Sequence, residues 1–156
     1  MSKKFKTAEF GSISHGTMRT QDLIPTFCAE LRALGHRSAE LTRIESRYHR
    51  ATNGRFGEDD SYLDGESAGF DLEFLFDCLD EHSPAYGYFG ANMGDGSDYG
   101  FWLWEDFSED FDGLKVEDLA DVPDDYMGEI LVINDHGNMT LYVKSSRKLR
   151  EIWALV

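Results

Sequence analysis

The fold class is decided within residues 70–104, which read FDLEFLFDCLDEHSPAYGYFGANMGDGSDYGFWLW. Apolar residues recur every three or four positions over residues 70–81, and this period predicts a helix. Aromatic residues then cluster over residues 85–91 and 99–104, which predicts two strands. The Gly- and Asp-rich residues 92–98 have the composition of the turn of a hairpin. A helix followed by a hairpin favours an α+β fold.

Two more helices are predicted before this stretch. The first begins near Thr20 or Asp22 and ends at Gly35, and the second is capped by Ser38 and continues to about Arg50. Each has one apolar stripe, formed by Leu23, Phe27, Leu31 and Leu34 in the first and by Leu41, Ile44 and Tyr48 in the second. The third helix, over residues 70–81, would turn Phe70, Phe74, Leu75, Cys78 and Leu79 inward and leave Asp71 and its other acids outside.

Three strands are predicted after the hairpin, at residues 129–134, 139–143 and 149–155. Residues 1–18 are expected to form an extended lead-in and residues 51–68 a loop, and one helical turn is expected at 116–120. We therefore predict a single acidic α+β domain over residues 1–156. Its N-terminal helices would pack on one face of an antiparallel sheet of about five strands.

The acidic residues are concentrated in the middle of the chain. Residues 58–125 hold 22 of the 30 acidic side chains and one basic residue, Lys115, within a formal net charge of −15. The 13% of aromatic residues, many of them inside this stretch, argue against a disordered acidic tail. Such a charge attracts cationic surfaces, among which nucleic-acid-binding grooves are the commonest large ones in a cell.

No sequence motif indicates catalysis. The five histidines lie far apart, the nucleophile motif Gly-x-Ser-x-Gly is absent, and there is no Cys-x-x-Cys pair. Asn92, Asp95 and Asp98 supply oxygen atoms of the kind that Ca²⁺ prefers, but without the EF-hand spacing, so a simple turn is favoured. We expect a protein that is not an enzyme and uses no metal and no cofactor.

Cys28 and Cys78 both fall on apolar helix faces, which predicts buried free thiols. No apolar run approaches 18 residues, and the N-terminus lacks the apolar region of a signal peptide. We therefore expect a cytoplasmic protein with no membrane contact.

Four blocks of the sequence resemble an uncharacterised family of small acidic proteins from phages and bacterial mobile elements. The blocks are GTMRTQDLIP at 16–25, YFGANMGDGSDYGFW at 88–102, NDHGNMTLY at 134–142 and LREIW at 149–153. The resemblance implies a context and no activity. Small acidic proteins of mobile elements often resemble inhibitors of host defence, including DNA mimics that block restriction or CRISPR complexes, and this context places the chain in a bacterial host cell.

We accordingly predict an inhibitor whose acidic, DNA-like surface docks into the basic groove of a nucleic-acid-binding host protein, with no direct nucleic-acid binding. On the third helix, Glu73, Asp77 and Asp80 share one face. The acidic residues expected to bind the partner are Glu58, Asp59, Asp60, Asp64, Glu66, Asp77, Asp80, Glu81, Glu105, Asp106, Glu109 and Asp110.

The tryptophans of the hairpin leave an alternative open. In a strand, Trp102 and Trp104 share one side, and Phe101 and Leu103 share the other. Either the strand is packed on both sides, or the two tryptophans form a binding patch. In the second case the protein is a small regulatory binding domain and its acids only solubilise it. The arginines at 37, 43, 47, 50 and 55 pair with acids of the same chain, as we expect, bind nucleic acid directly, or pair with the acidic block of a second subunit, so the protein is a monomer or a homodimer.

Overall fold

A computed structural model describes residues 6–53, 60–63, 65–146 and 148–156, with Asp60 described in its backbone only. The chain forms two compact units, Met1–Trp104 and Glu105–Val156. The α+β class is confirmed. The single sheet of about five strands is wrong, because the strands form one three-stranded and one four-stranded sheet. The assignment of residues 1–156 to one domain stays a prediction.

The first unit contains all the long helices. In chain order its elements are β1 (Gly11–Ser14), α1 (Thr20–Ala33), α2 (Ala39–Thr52), α3 (Asp60–Leu63), α4 (Glu66–Asp80), β2 (Gly87–Asn92) and β3 (Asp95–Leu103). The sheet has the order β1-β3-β2 with antiparallel neighbours. The predicted hairpin is therefore confirmed, with β3 longer than expected and Asn92 paired with Asp95 across a two-residue turn.

The helix boundaries follow local chemistry. Ser38 caps α2 as predicted, because its Oγ accepts the backbone N–H of Leu41 at 3.1 Å. The first helix begins at Thr20, and Asp22 instead accepts a 2.7 Å hydrogen bond from the hydroxyl of Thr17. Gly35 has a φ of +77° just after this helix, a conformation that glycine adopts without strain.

The predicted loop at 51–68 is wrong at both ends. Ala51 continues α2 and is buried, and Ala68 lies in the first turn of α4 and is buried too. Both extend the apolar stripe of their helix, so burial outweighs the polar composition of the neighbouring residues. A four-residue helix, α3, lies between them. Residues 54–59 and 64 lie outside the described part of the chain.

Aromatic residues of α1, α4 and the hairpin form the core of the first unit. The Phe27 ring lies 5.2 Å from the rings of both Phe76 and Phe89, and 5.9 Å from that of Tyr99, in edge-to-face geometry. Helices α1 and α4 thus contact the sheet through the inward residues of β2 and β3.

The three-stranded sheet is completed by β1, which occupies the second edge of β3. The strands approach so closely that a Cβ at Gly100 would lie 2.2 Å from the carbonyl oxygen of Gly11. On the other edge, the backbone N–H of Phe89 donates to Oδ1 of Asp80 at 3.0 Å. The hairpin strands therefore do not join the later strands in one sheet, because β3 is paired on both sides and β2 receives a helix-end carboxylate.

The second unit contains α5 (Phe107–Asp110), β4 (Leu114–Val116), a 3₁₀ turn (Leu119–Asp121), β5 (Gly128–Ile133), β6 (Met139–Ser145) and β7 (Lys148–Leu155). The last three strands match the prediction within a few residues. The sheet order is β4-β5-β6-β7, and β4 runs parallel to β5 while the other pairs are antiparallel. The helical turn expected at 116–120 forms partly, at 119–121, and a three-residue strand stands before it.

Candidate interaction surface

The outward side of α4 carries a row of carboxylates. Ala68, Leu75, Cys78 and Leu79 are buried, whereas Glu66, Glu73, Asp77 and Asp80 are all exposed. These four acids are separated by seven, four and three residues, so they lie on one side of the helix and span about 21 Å of its axis. We call these four residues the α4 acidic face. Glu81, at the C-cap, is exposed beside it.

Phe70 corrects the predicted packing of α4. It was expected to point inward, but its side chain is 64% exposed. The residue lies four positions after Glu66 and three before Glu73, which places it on the same side of the helix as the α4 acidic face. The inward prediction is wrong because Phe70 is nearly opposite Leu75 on the helix, and one face cannot contain both.

Asp71 is the opposite case, since it was predicted outside and is buried. Its carboxylate accepts two hydrogen bonds from Arg47, at 2.9 Å from Nε and 2.7 Å from Nη2, and a third from the hydroxyl of Tyr62 at 2.6 Å. The sequence held a signal for this position, because Asp71 is three residues after Ala68 and four before Leu75, on the buried stripe.

The hydrogen bonds around Asp71 change the acidity of its partners. They raise the pKa of the Arg47 guanidinium above its already high value, so this arginine stays charged. Burial, followed by the bond to Asp71, raises the pKa of the Tyr62 hydroxyl above its usual range. The three side chains form an ion pair with a tyrosine donor beside it, and this group joins α2, α3 and α4.

Of the five arginines expected to pair within the chain, Arg43 and Arg47 do so, Arg37 and Arg50 form no ion pair among the described residues, and Arg55 lies outside them. Arg32 pairs with Glu45, and Glu40 receives Arg43 at 2.6 Å and Arg47 at 3.0 Å. These two arginines hold the pKa of the Glu40 carboxyl below its usual range. Within the residues that the structure describes, Asp71 is the one member of the acidic block 58–125 that forms an ion pair. The α4 acidic face thus has no cationic partner among the described residues.

In the second unit, an aromatic cluster positions the predicted acids Glu105, Asp106, Glu109 and Asp110, all of which are exposed. Phe107 and Phe111 are buried, with their rings 5.4 Å apart and Phe107 5.6 Å from Trp153. Because the turn α5 buries its phenylalanines, the acids between and beside them remain on the surface. Phe107 and Phe111 therefore lie on the inner side of this segment, and the four acids lie on its outer side.

The two tryptophans of the hairpin differ in exposure. Trp102 is half-buried, and its Nε1–H donates to the carbonyl of Gly90 at 2.9 Å. Trp104 is 57% exposed, and its indole stacks on the ring of Tyr88 at a centroid distance of 4.5 Å and an angle of 31°. The sequence left open whether the two tryptophans pack inside or form an exposed patch. Trp102 is partly packed, and Trp104 is exposed. Tyr88 was not among the predicted site residues, although it is paired with Trp102 across the hairpin.

The remaining predicted acids fall on the least described part of the chain. Glu58, Asp59 and Asp64 lie outside the described residues, as does the side chain of Asp60, whose backbone begins α3. The described site residues belong to the two units separately: Glu66, Asp77, Asp80, Glu81, Trp102 and Trp104 to the first, and Glu105, Asp106, Glu109 and Asp110 to the second.

The hairpin turn uses its oxygen atoms locally. Asn92 Oδ1 accepts the backbone N–H of Gly94 at 2.8 Å, and Asp95 Oδ1 accepts that of Ser97 at 3.0 Å. Asp98 Oδ1 accepts from the Ser12 hydroxyl at 2.5 Å. The first two bonds are typical of Asx turns, and the third joins β3 to β1. Within the described ranges, no three His, Cys, Asp or Glu side chains gather as they would around a metal ion.

No protein-family model matches the chain, and neither does any curated protein or solved structure. The resemblance to proteins of phages and mobile elements therefore stays a prediction based on the four sequence blocks. Among the helices that the structure describes, none has both the length and the apolar character needed to cross a bilayer.

Proposed function

We propose that this chain is a non-enzymatic inhibitor that binds the nucleic-acid-binding groove of a basic host protein through its acidic surface. The α4 acidic face is the observation that carries this proposal. It supplies four exposed carboxylates on one helix, and none of them pairs with an Arg or Lys of the described residues. Charge complementarity of this kind raises the association rate and makes binding sensitive to salt.

The density of charge limits what α4 imitates. One strand of duplex DNA carries on the order of six phosphates over about 21 Å, so four carboxylates replace a short segment of one strand and not a whole duplex. The exposed acids of α5 add charge in the second unit. We propose that the partner is contacted at several such segments and that α4 supplies one of them.

The resemblance to mobile-element proteins supplies the biological context of this proposal. The partner would be a restriction or CRISPR complex in the cytoplasm of a bacterial host. The chain would act as a monomer or homodimer, without a membrane, a cofactor or direct contact with nucleic acid.

Charge reversal on α4 tests the proposal. In E73K/D77K, the carboxylates at the middle of the face become cations, and we expect its affinity for the partner to fall on the order of tenfold or more. Electrophoretic mobility shifts would measure how well each variant displaces duplex DNA from purified restriction and CRISPR complexes. The matched control is E9K/E151K, which changes the net charge equally at two exposed positions outside the acidic block.

The control separates the possible outcomes. If only E73K/D77K loses displacement, the α4 acidic face binds the partner. If both variants lose it equally, the overall negative charge acts without a defined surface. If neither variant loses it, the proposal is abandoned.

A second candidate function rests on Trp104. A large indole that is 57% exposed and held against Tyr88 has the character of an interface anchor. The chain would then be a small regulatory binding domain with acids that only solubilise it. In that case W104A would abolish partner binding while E73K/D77K would leave it unchanged.

A further inference from the structure

The strongest surface feature outside the acidic residues is the stacked pair of Tyr88 and Trp104. Their centroids are 4.5 Å apart, and the backbone N–H of Trp104 donates to the carbonyl of Tyr86 at 3.2 Å. The Tyr88 hydroxyl in turn donates to the carbonyl of Ala91 at 3.3 Å. One side of the Trp104 indole is therefore used by Tyr88, and the residue is still 57% exposed. We call this pair the indole shelf.

The shelf is held in place before any partner arrives. Tyr88 is opposite Trp102 in the hairpin, and the Trp102 Nε1–H donates to Gly90 on the strand that carries Tyr88. Tyr88 and Trp102 are thus both fixed by hydrogen bonds to the backbone of β2, and Tyr88 supports Trp104. A surface ordered in this way loses little side-chain entropy when it binds.

The charge around the shelf selects the class of ligand. No Lys or Arg occurs between Arg55 and Lys115, and β1, which completes the sheet, has none either. The strands of this sheet therefore cannot supply a cation of their own to the indole. The net charge of −15 repels nucleic acid and attracts cations, so stacking of bases on Trp104 is disfavoured.

We propose that the indole shelf receives an arginine side chain of the basic partner. A tryptophan face is the best aromatic surface for a cation, and the planar guanidinium both stacks on it and attracts its π-electrons, whereas a lysine ammonium acts as a point charge. This inference rests on the proposed function, because the partner must be basic. It adds that the partner uses arginine at this position, and that Trp104 and the acids act in the same complex.

Hexa-arginine and hexa-lysine peptides test the preference directly. Labelled peptides would be titrated with the full chain at equal ionic strength and followed by fluorescence anisotropy. Since arginine also binds carboxylates more tightly than lysine does, the change in the ratio of their dissociation constants between the unmodified chain and a Trp104 variant is what reports the shelf. We expect the arginine peptide to bind about three- to fivefold more tightly to the unmodified chain.

W104L isolates the aromatic contribution, because leucine keeps an apolar side chain without a π-face. We expect the preference for arginine to fall in W104L and to be partly kept in W104F. F70L is the matched control, as it removes an aromatic ring that is 64% exposed on α4 and should leave the ratio unchanged. Circular dichroism at 222 nm checks that each variant is folded.

The outcomes separate the shelf from the proposed function. An unchanged ratio in W104L, an equal loss of both peptides, or an absence of binding by the unmodified chain overturns the shelf. If E73K/D77K binds both peptides as the unmodified chain does while W104L loses the preference, the shelf stands and the role of the α4 acidic face is overturned.

Discussion

Arg47 binds Asp71 with two hydrogen bonds, from Nε at 2.9 Å and from Nη2 at 2.7 Å, and this pair joins α2 to α4. The carboxylate is 10% exposed and the guanidinium 31% exposed. The helix that carries the α4 acidic face is therefore fixed from its inner side by the one member of the acidic block that the described arginines neutralise. Asp71 thus stabilises the helix from its buried side, whereas the α4 acidic face lies on its exposed side.

Removing the cation should destabilise the first unit. In R47M, Asp71 remains buried with Tyr62 as its remaining donor among these bonds, and we expect the free energy of unfolding to fall by about 2–3 kcal/mol, below the range for a fully buried pair because Arg47 is partly exposed. Urea denaturation followed at 222 nm measures this change, since the long helices all lie in the first unit.

Two further variants serve as comparisons for R47M. Y62F removes one hydrogen bond to Asp71 and should cost about 1 kcal/mol. R43M removes an exposed arginine whose partner Glu40 is half-buried, and it should leave the unfolding midpoint unchanged. Equal effects of R43M and R47M would contradict the structural role assigned to Asp71.

Asp80 is expected to be more sensitive to neutralisation than its neighbour Asp77. Its Oδ1 accepts the backbone N–H of Phe89 at 3.0 Å, at the edge of β2. In D80A this N–H loses its acceptor, so stability should fall by about 1 kcal/mol. D77A is the matched control on the same face and should not destabilise the chain. Thermal unfolding of the two variants side by side measures the difference, and equal melting temperatures would show that Asp80 does not stabilise the sheet edge.

Features of the fold that depend on residues close together in the sequence could be predicted, and features that depend on distant residues could not. The period of apolar residues predicted the three long helices, and local signals at Ser38 and Gly35 set two of their ends. The hairpin and the last three strands also followed from local pattern. The acidic row on α4 needed only helical geometry, so the shared face of Glu73, Asp77 and Asp80 was predicted correctly.

The errors concern partners that are distant in sequence. Asp71 is buried because Arg47, 24 residues away, reaches its carboxylate, and composition alone treats every aspartate as a surface residue. The division into two sheets depends on two features. Gly100 leaves room for β1, which lies 86 or more residues earlier in the chain, and a three-residue strand forms at Leu114. The stacking of Tyr88 on Trp104 likewise depends on the register of the hairpin, which residue spacing alone leaves open.

The cysteines should make the chain sensitive to alkali. Burial raises the pKa of the Cys28 thiol from 9.0 to about 12 and that of Cys78 to about 11. Because the folded chain holds these protons more tightly than the unfolded chain, their contribution to stability is complete below pH 9 and is lost as the pH rises from 9 to 12.

Two measurements check the thiols. Urea denaturation across this pH range should show a smaller loss of stability in C28A than in the unmodified chain, although C28A starts from a lower value because it leaves a cavity. Alkylation with iodoacetamide at pH 8, read by mass spectrometry, should label neither cysteine in the native chain and both in 6 M guanidinium chloride, about the concentration that unfolds most domains. Rapid labelling of Cys28 in the native chain would contradict its burial.

The buried pair of His36 and His82 fixes the tautomers of both rings. His82 Nδ1 lies 2.8 Å from the carbonyl oxygen of Lys6, and a carbonyl only accepts, so this nitrogen carries the hydrogen. In the neutral ring, His82 Nε2 is then an acceptor. His36 Nδ1 lies 3.3 Å from it and must be the donor. Both rings are therefore expected as the Nδ1–H tautomer, and ¹⁵N-detected long-range correlation spectra at neutral pH would identify it.

The exposed His136 is the internal reference for this measurement, since its ring is in contact with solvent. A spectrum in which His82 carries its hydrogen on Nε2 would mean that the bond to Lys6 is absent. H82N then gives a second test, because an asparagine amide can still donate to the Lys6 carbonyl but offers no ring nitrogen to His36. We expect H82N to keep the resonance positions of residues 6–8 more closely than H82L, in which both hydrogen bonds are lost.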